Sequence, residues 1–300
     1  MSNEHIASYL SALRTLKDAS SHTLRAYQRD LEAFFSYLET VAGEAPPLER
    51  ITERWIRRYI GGLLQSGLSP VSCSRKLSAI KGFFAYLVNM QVLEVSPAES
   101  IEGPKLPKHH PEFPTEEYLC STLDRLAEET EVEAIRDCAL LEVLYGCGLR
   151  ISEALTMDAD DFNVSHGWLR VVGKRKKMRD VPLGETAANA LQRWKMAREE
   201  WVTPVSGEAL FLGKRGKRLN PRTARMMVHR RLQKAGQIYG TNPHALRHAF
   251  ATHLIDYDAN LLAVSEMLGH ASLSTTQIYT KISTERLKEV YRKHHPRGKS

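Results

Sequence analysis

Apolar residues recur at three- and four-residue intervals through the first hundred positions of the chain. Leu24, Tyr27, Leu31, Phe34, Phe35 and Leu38 follow the potential caps Ser20 and Ser21. Trp55, Ile56, Tyr59, Ile60, Leu63 and Leu64 repeat the pattern, and Leu77, Ile80, Phe83, Phe84 and Leu87 do so again after Ser69-Pro70. Such a period puts each set on one face of a helix. With a short helix from Ile6 to Leu16, it predicts a bundle of about four helices. The aromatics are assigned to its core, because a stripe at helical spacing is far more often packing than a base-stacking surface.

The period lapses in SPAESIEGPKLPKHHPEFPT, residues 96–115, a proline-rich stretch that reads as an extended linker. The expected division is a helical domain over 1–98, a linker over 99–114 and a second domain over 115–300. Thr115 caps the next helix, with Glu116 and Glu117 favourably placed in its first turn. A further helix runs through AIRDCALLEVLYG and stops at Gly146. The pattern then changes: WLRVVG and MRDVPL read as short strands joined by the turn KRKK, and ALFLG reads as a third. Helices resume from Glu185 to Trp201, after Asn220-Pro221, after Asn242-Pro243, after Asn260 and around Thr275. The expected fold is mainly α, a helical bundle followed by a mostly helical domain with a small antiparallel sheet.

Composition narrows the function classes. Of the 300 residues, 42% are hydrophobic and 26% charged, which excludes wholesale disorder. There is no apolar run of the roughly 18 residues that a membrane span needs, and no apolar core of a secretory signal, so the expectation is a cytoplasmic protein without membrane insertion. Four cysteines without a CxxC pair support neither a disulfide framework nor a zinc ribbon. The net charge is +7, and the first 105 residues hold 12 basic and 11 acidic residues, so the excess is carboxy-terminal. It concentrates in residues 168–180 and in residues 214–231, where eight basic residues stand without an acid. One charge run is ordinarily a solvated face; two acid-poor clusters in one domain favour phosphate contact. Neither GxxxxGK[ST] nor GxGxxG occurs, and no cofactor is expected.

Four segments carry residue types that phosphodiester chemistry uses: GCGLRISEAL with Arg150, VVGKRKKMRDVPLG with Lys174, HALRHAFATHL with His244 and Arg247, and LGHASLSTTQIYT with His270 and Tyr279. Singly, each has a dull explanation as an ion-pairing, solvated or packed residue. Their placement raises the odds. Arg150 follows Gly146 and Gly148, at a helix start where free N–H groups also bind anions. His244 and Arg247 share one helical face near an N-terminus opened by Asn242-Pro243. His270 follows Leu268-Gly269, where glycine ends one helix and aims the imidazole, and Tyr279 is nine residues further on.

In this order and at these distances, the four segments resemble the tyrosine recombinase (λ integrase) family. Within it, SSHTLRAYQRDLEAFFSYL, SPAESIEGPKLPK, LGHASLSTTQIYT and ERLKEVYRKHHPRGKS are similar to the bacterial Xer recombinases, so that the likeness covers nearly the whole chain. PKLP and HHPRG lean toward the XerD type and GHASLSTTQ toward the XerC type, the sum leaning to XerD. The resemblance implies that Tyr279 is the nucleophile forming a 3′-phosphotyrosyl enzyme and that Arg150 and Arg247 bracket the phosphate. It further implies that Lys174 protonates the leaving 5′-oxygen, that His244 assists the tyrosine and that His270 hydrogen-bonds the phosphate. It also implies a SAM-like core-binding domain at the N-terminus. Arg175 stands where the turn usually has glycine, which leaves Lys174, Lys176 and Lys177 as conceivable acids, with alignment to Gly173 favouring Lys174. Cys147 replaces a more usual threonine, and Asp258 falls where glycine is common.

By the same resemblance, the covalent intermediate stores the phosphodiester energy, so no ATP is expected to be needed, and the two arginines are expected to remove the need for a metal. The expected partners, by resemblance, are double-stranded DNA carrying a dif-like site, a second Xer recombinase in a heterotetramer on two sites, and a division-associated DNA translocase. The two domains would close on the duplex as a clamp. Arg175, Lys176, Lys177, Lys214, Arg215, Arg222 and Arg225 are the expected DNA contacts, Arg222 and Arg225 as base readers. The helix through Leu287 and Val290 is expected to dock in trans on a neighbouring recombinase. Competing readings are a phage- or element-type integrase, a type IB topoisomerase-like enzyme and a non-catalytic DNA-binding protein. A zinc hydrolase using His244, His248, His253 and His270 is disfavoured, because Ala245 stands where the HExxH motif needs glutamate.

Overall fold

The computed structural model describes residues 2–17, 19–105, 113–173, 178–236, 239–269 and 283–298. The chain forms two compact units, Met1–His109 and His110–Ser300.

The first unit is helical: α1 (Ser2–Lys17), α2 (Ser21–Ala42), α3 (Glu53–Gln65) and α4 (Pro70–Asn89). The Oγ atoms of Ser20 and Ser69 accept from the N–H groups of Thr23 and Ser72, satisfying orphan donors at the starts of α2 and α4. Leu31, Phe34, Leu38, Ile56, Ile80, Phe83, Phe84 and Leu87 are fully or almost fully buried, so the expected aromatic stripe is core. Tyr9 meets Phe83 edge-on at 5.9 Å, and Phe35 meets Phe83 edge-on at 5.6 Å. One charge enters this core: Asp30 is buried, and α4 supplies Lys76 Nζ at 2.9 Å together with the Arg75 guanidinium.

The second unit contains α5 (Glu116–Glu128), α6 (Val132–Tyr145), α7 (Ile151–Thr156), β1 (Phe162–Asn163), β2 (Trp168–Val172), β3 (Met178–Pro182) and α8 (Glu185–Ala197). These are followed by α9 (Pro221–Lys234), α10 (Pro243–Asp256), α11 (Leu261–Leu268) and α12 (Thr284–His294). Helix α6 is buried from Ala134 to Tyr145 and serves as the axis of the unit. Its buried charges are paired: Asp137 accepts from Arg136 Nη2 at 2.6 Å and Arg231 Nε at 2.8 Å. Glu142 accepts from Arg297. The helices starting after Asn220, Asn242 and Asn260 are each capped by the asparagine side chain, as the sequence predicts. The predicted helix around Thr275 lies outside the described residues.

One expectation needs correction. The sheet is antiparallel in the order β1-β2-β3, but its third strand is Phe162–Asn163 and not ALFLG. Residues 209–212 make only isolated bridges, and side chains take the carbonyls of Ala209, Leu210 and Leu212 where a strand partner would otherwise stand. Trp194 Nε1 donates to the Leu210 oxygen at 2.9 Å and Arg198 Nη2 to that of Ala209 at 3.0 Å. In the single chain, Leu287, Val290 and Tyr291 of α12, with His295 and Arg297 after it, are buried within their own unit, so this segment covers its own core.

Candidate active site

The turn Gly146–Leu149 between α6 and α7 places the first arginine. Gly148 takes the left-handed conformation, φ +62°, and a Cβ there would meet the Phe250 ring at 2.5 Å. Glycine at this point therefore lets α10 approach the turn closely enough for side chains of α10 to reach its backbone. Arg150 is the N-cap of α7, and Glu153, three residues on, accepts the Arg150 backbone N–H at 2.9 Å through Oε2. The same carboxylate accepts Arg150 Nη1 at 2.9 Å through Oε1.

Arg247 arrives from α10. It is 5% exposed, donates Nη1 to the Gly148 oxygen at 2.6 Å, donates Nη2 to the Leu268 oxygen, and lies 3.7 Å from Glu153. Arg150 Nη1 also reaches the Leu268 oxygen, at 3.5 Å. The two arginines that the sequence places 97 positions apart thus converge on one carboxylate and one carbonyl. They differ in access. Arg247 is walled in, whereas the Arg150 side chain keeps 40% of its surface open to solvent.

A third arginine was not foreseen. Arg179 of β3 donates Nη1 and Nη2 to Glu153 at 2.9 and 3.0 Å and Nε to the Met267 oxygen at 3.1 Å. Three guanidiniums around one buried carboxylate leave a net positive site. Burial pushes the Arg247 pKa down to about 10, with the Arg150 charge adding to the effect and Glu153 opposing it. Burial works against the charge on Glu153 as well, but the hydrogen bonds and charge of Arg179, with the donors of Arg150, hold its carboxyl below the ordinary value. An excess of buried positive charge beside a solvent-facing guanidinium suits a dianionic or transition-state phosphate oxygen.

His244 is exposed at the start of α10, where its backbone N–H donates to Asn242 Oδ1 at 3.0 Å. His248 packs edge-on against Phe113 at 4.9 Å, and buried His253 shares a hydrogen bond with the Tyr145 hydroxyl at 3.0 Å. These two serve packing. Gly269 ends α11 in the left-handed conformation that the Leu268-Gly269 pair predicts. Lys174, Arg175, Lys176, Lys177, His270 and Tyr279 lie outside the described residues. Glu153 and Arg179 are what the sequence reading missed. Glu153 could have been found from its capping spacing to Arg150, whereas Arg179 was hidden in a basic run read as phosphate contact.

The other basic run divides on inspection. Arg222, Arg225 and Met226 are exposed on α9, and Arg215 and Lys217 are exposed in the loop before it. Lys214 is exposed and pairs with Glu133 at 2.9 Å. Arg218 and Arg231 are structural: Arg218 binds the Leu155 and Met157 oxygens at 3.1 and 2.7 Å as well as Asp158, and Arg231 binds Asp137 and Glu129. Of the eight basic residues in 214–231, these two are already engaged in holding the unit together.

Comparison with known proteins identifies the family. Residues 119–286 match the phage integrase family, and residues 6–91 match the phage integrase N-terminal SAM-like domain. The chain is 39% identical to tyrosine recombinase XerC of Chlorobaculum parvum, over 96% of this chain and 93% of that one. It is 39% identical to XerC of Pelotomaculum thermopropionicum, over 98% of this chain and 99% of that one. Both carry the XerC name, which does not support the lean to the XerD type. Among solved structures, the XerH recombinase bound to a palindromic difH substrate in a post-cleavage complex is 26% identical. It superposes with a TM-score of 0.67, covering 95% of this chain and 83% of that one.

Proposed function

The chain belongs to the phage integrase family as a site-specific tyrosine recombinase of the Xer subfamily, and from that premise we propose which residues perform the strand transfer. Tyr279 attacks the scissile phosphorus, the P–O5′ bond breaks, and a 3′-phosphotyrosyl enzyme and a free 5′-hydroxyl result. A phenol with a pKa near 10 needs a base or a positive field to attack at neutral pH. Arg150 and Arg247 bind the non-bridging oxygens and supply that field. The observation that carries this reading is their meeting on Glu153 and the Leu268 carbonyl, with Arg150 open to solvent.

Lys174 donates the proton that the 5′-oxygen takes up, His244 assists at the tyrosine, and His270 hydrogen-bonds the phosphate. Ligation reverses the step with a new 5′-hydroxyl, so the phosphodiester energy is kept in the covalent bond and neither ATP nor a metal ion enters the balance. The N-terminal domain, residues 1–98, and the exposed face of α9 with Arg222 and Arg225 hold the duplex, aided by Arg175, Lys176, Lys177, Lys214 and Arg215. The biological role we assign is chromosome dimer resolution at a dif-like site in the cytoplasm. There the chain pairs with a second Xer recombinase in a heterotetramer and is activated by a division-associated translocase.

The test is a nicked duplex carrying the host's candidate site, from which cleavage releases a short fragment and traps the covalent complex. Wild-type and Tyr279→Phe proteins are compared on a denaturing gel in chelator and without ATP. A shifted band given by the wild type alone supports the assignment. Adduct formation by Tyr279→Phe removes the nucleophile, and a band that vanishes with chelator removes the metal-independent reading. Relaxation of a supercoiled plasmid without any such site would favour a topoisomerase.

A further inference from the structure

The arginine pair leaves one heavily connected group without a role. Arg179 stands opposite Val171 in the β2–β3 ladder, and its side chain is 17% exposed. Its two terminal nitrogens grip both oxygens of Glu153, while Nε holds the Met267 oxygen. A planar fork that binds a carboxylate at two points fixes the plane of that carboxylate as well as its position, which an ammonium cannot do. Glu153 in turn receives Arg150 at both its backbone N–H and Nη1, and it lies beside Arg247. Gly269 adds a second constraint: a Cβ there would come within 3.1 Å of Arg179 Cδ and Nε, so the end of α11 rests on this side chain. Arg179 thus touches the partner shared by both phosphate-binding arginines, and also the helix end whose Leu268 carbonyl they share.

We propose that Arg179 is a positioning residue for strand cleavage, setting through Glu153 and the carboxyl end of α11 the orientation in which Arg150 and Arg247 meet the phosphate. The inference rests on the reading of those two arginines as the phosphate-binding pair. Without Arg179, Glu153 keeps its charge with fewer donors and draws Arg150 and Arg247 toward itself. The guanidiniums are then turned from the place where negative charge builds on the non-bridging oxygens. The defect belongs to charge stabilisation, not to proton transfer at the 5′-oxygen, and substrate chemistry separates the two.

Single-turnover cleavage is measured on three versions of the nicked duplex: the ordinary phosphodiester, a methylphosphonate whose scissile group has lost one anionic oxygen, and a 5′-bridging phosphorothiolate whose thiolate leaves without a proton. Arg179→Met should slow cleavage of the phosphodiester about 100-fold, the scale of a misplaced catalytic group. The phosphorothiolate should suffer the same loss and the neutral methylphosphonate a much smaller one. Arg179→Lys, which keeps the charge but not the fork, should fall between Met and wild type with the same order of substrates. It carries the test if the Met variant does not fold. Equal loss on all three substrates, or a wild-type rate, overturns the proposal. Rescue confined to the phosphorothiolate also overturns it, by showing action through the lysine turn. Wild-type protein that forms no adduct, or Tyr279→Phe that forms one, would instead sink the functional reading on which the inference rests.

Discussion

Arg247 Nη1 donates to the main-chain oxygen of Gly148 at 2.6 Å, joining α10 to the turn that introduces Arg150. The contact exists because residue 148 has no side chain. Its φ of +62° and the Phe250 ring, 2.5 Å from where a Cβ would be, both demand glycine. Gly148→Ala should therefore cost about 2–4 kcal/mol, combining left-handed strain with overpacking. Thermal unfolding would measure it, and a loss below about 0.5 kcal/mol, within the range of a neutral surface change, would refute this account.

His295 is fully buried among the rings of Tyr145, Phe250 and Tyr291, the last stacked on it at 4.9 Å. Burial, with His253 and Arg297 adding to it, pushes its pKa down from 6.5 to about 3. The unfolded chain takes up this proton below pH 6.5 and the folded chain does not. Its share of stability is therefore intact above pH 6.5 and is lost as the pH falls toward 3, by up to about 1.4 kcal/mol per pH unit. Urea unfolding between pH 7 and 5 should show a steeper decline for wild type than for His295→Asn; parallel curves would exclude the effect.

Arg297 carries the charge that keeps Glu142 company inside the unit, and it binds Asp124 at the surface as well. Burial acts against the Arg297 charge, yet Glu142 more than offsets it and raises the pKa. Arg297→Ala leaves the buried Glu142 carboxylate without its charged partner and should cost roughly 3–5 kcal/mol. Removal of everything from Glu285 onward takes away Leu287, Val290 and Tyr291 too, and is expected to cost DNA binding along with stability. A truncated protein that melts like the full chain and binds one DNA site normally would contradict the burial of this segment.

Asp258 occupies a left-handed position, φ +62°, just beyond α10, with its N–H donating to the Ile255 oxygen at 2.9 Å. This is the physical meaning of the glycine that is common at that place. Asp258→Gly should stabilise the chain by about 0.5–1 kcal/mol by removing left-handed strain, which an aspartate bears more easily than most residues. A lower melting temperature would mean that the aspartate contributes something beyond its backbone shape. Cys147 has a simpler account: it is buried, and burial pushes its thiol pKa up, so it fills space as an inert side chain.

Arg222→Ala and Arg225→Ala should each weaken DNA binding and reduce the dependence of log affinity on log salt by about 1 if each contacts one phosphate. Arg218→Ala, drawn from the same basic run, should lower the melting temperature, because Arg218 holds the Leu155 and Met157 carbonyls. Identical salt slopes for all three variants and wild type would remove α9 from the interface.

The helices of both units were legible in the chain itself. Period, asparagine caps and the Leu268-Gly269 stop are local signals, and each is satisfied by residues within a few positions of one another. ALFLG shows the limit of that logic. A short apolar run carries the same signal whether its carbonyls find a neighbouring strand or the side chains of Trp194, Arg198 and Arg136, and only distant residues decide which. The same holds for α12, whose amphipathic pattern states that one face must be covered without stating by what.

By itself, then, the sequence determined the helical order, the family and the residue types of a phosphate-handling site, because motifs and periodicity are properties of neighbours along the chain. The tertiary structure alone decided that Glu153 is the meeting point of three arginines and that Arg218 and Arg231 hold the fold together. It also decided that the segment after residue 283 closes its own core. Those assignments depend on which charges are buried together. The free energy of a buried charge is set by partners that the chain brings from 26 to 155 positions away, as for Arg179 with Glu153 and Arg297 with Glu142.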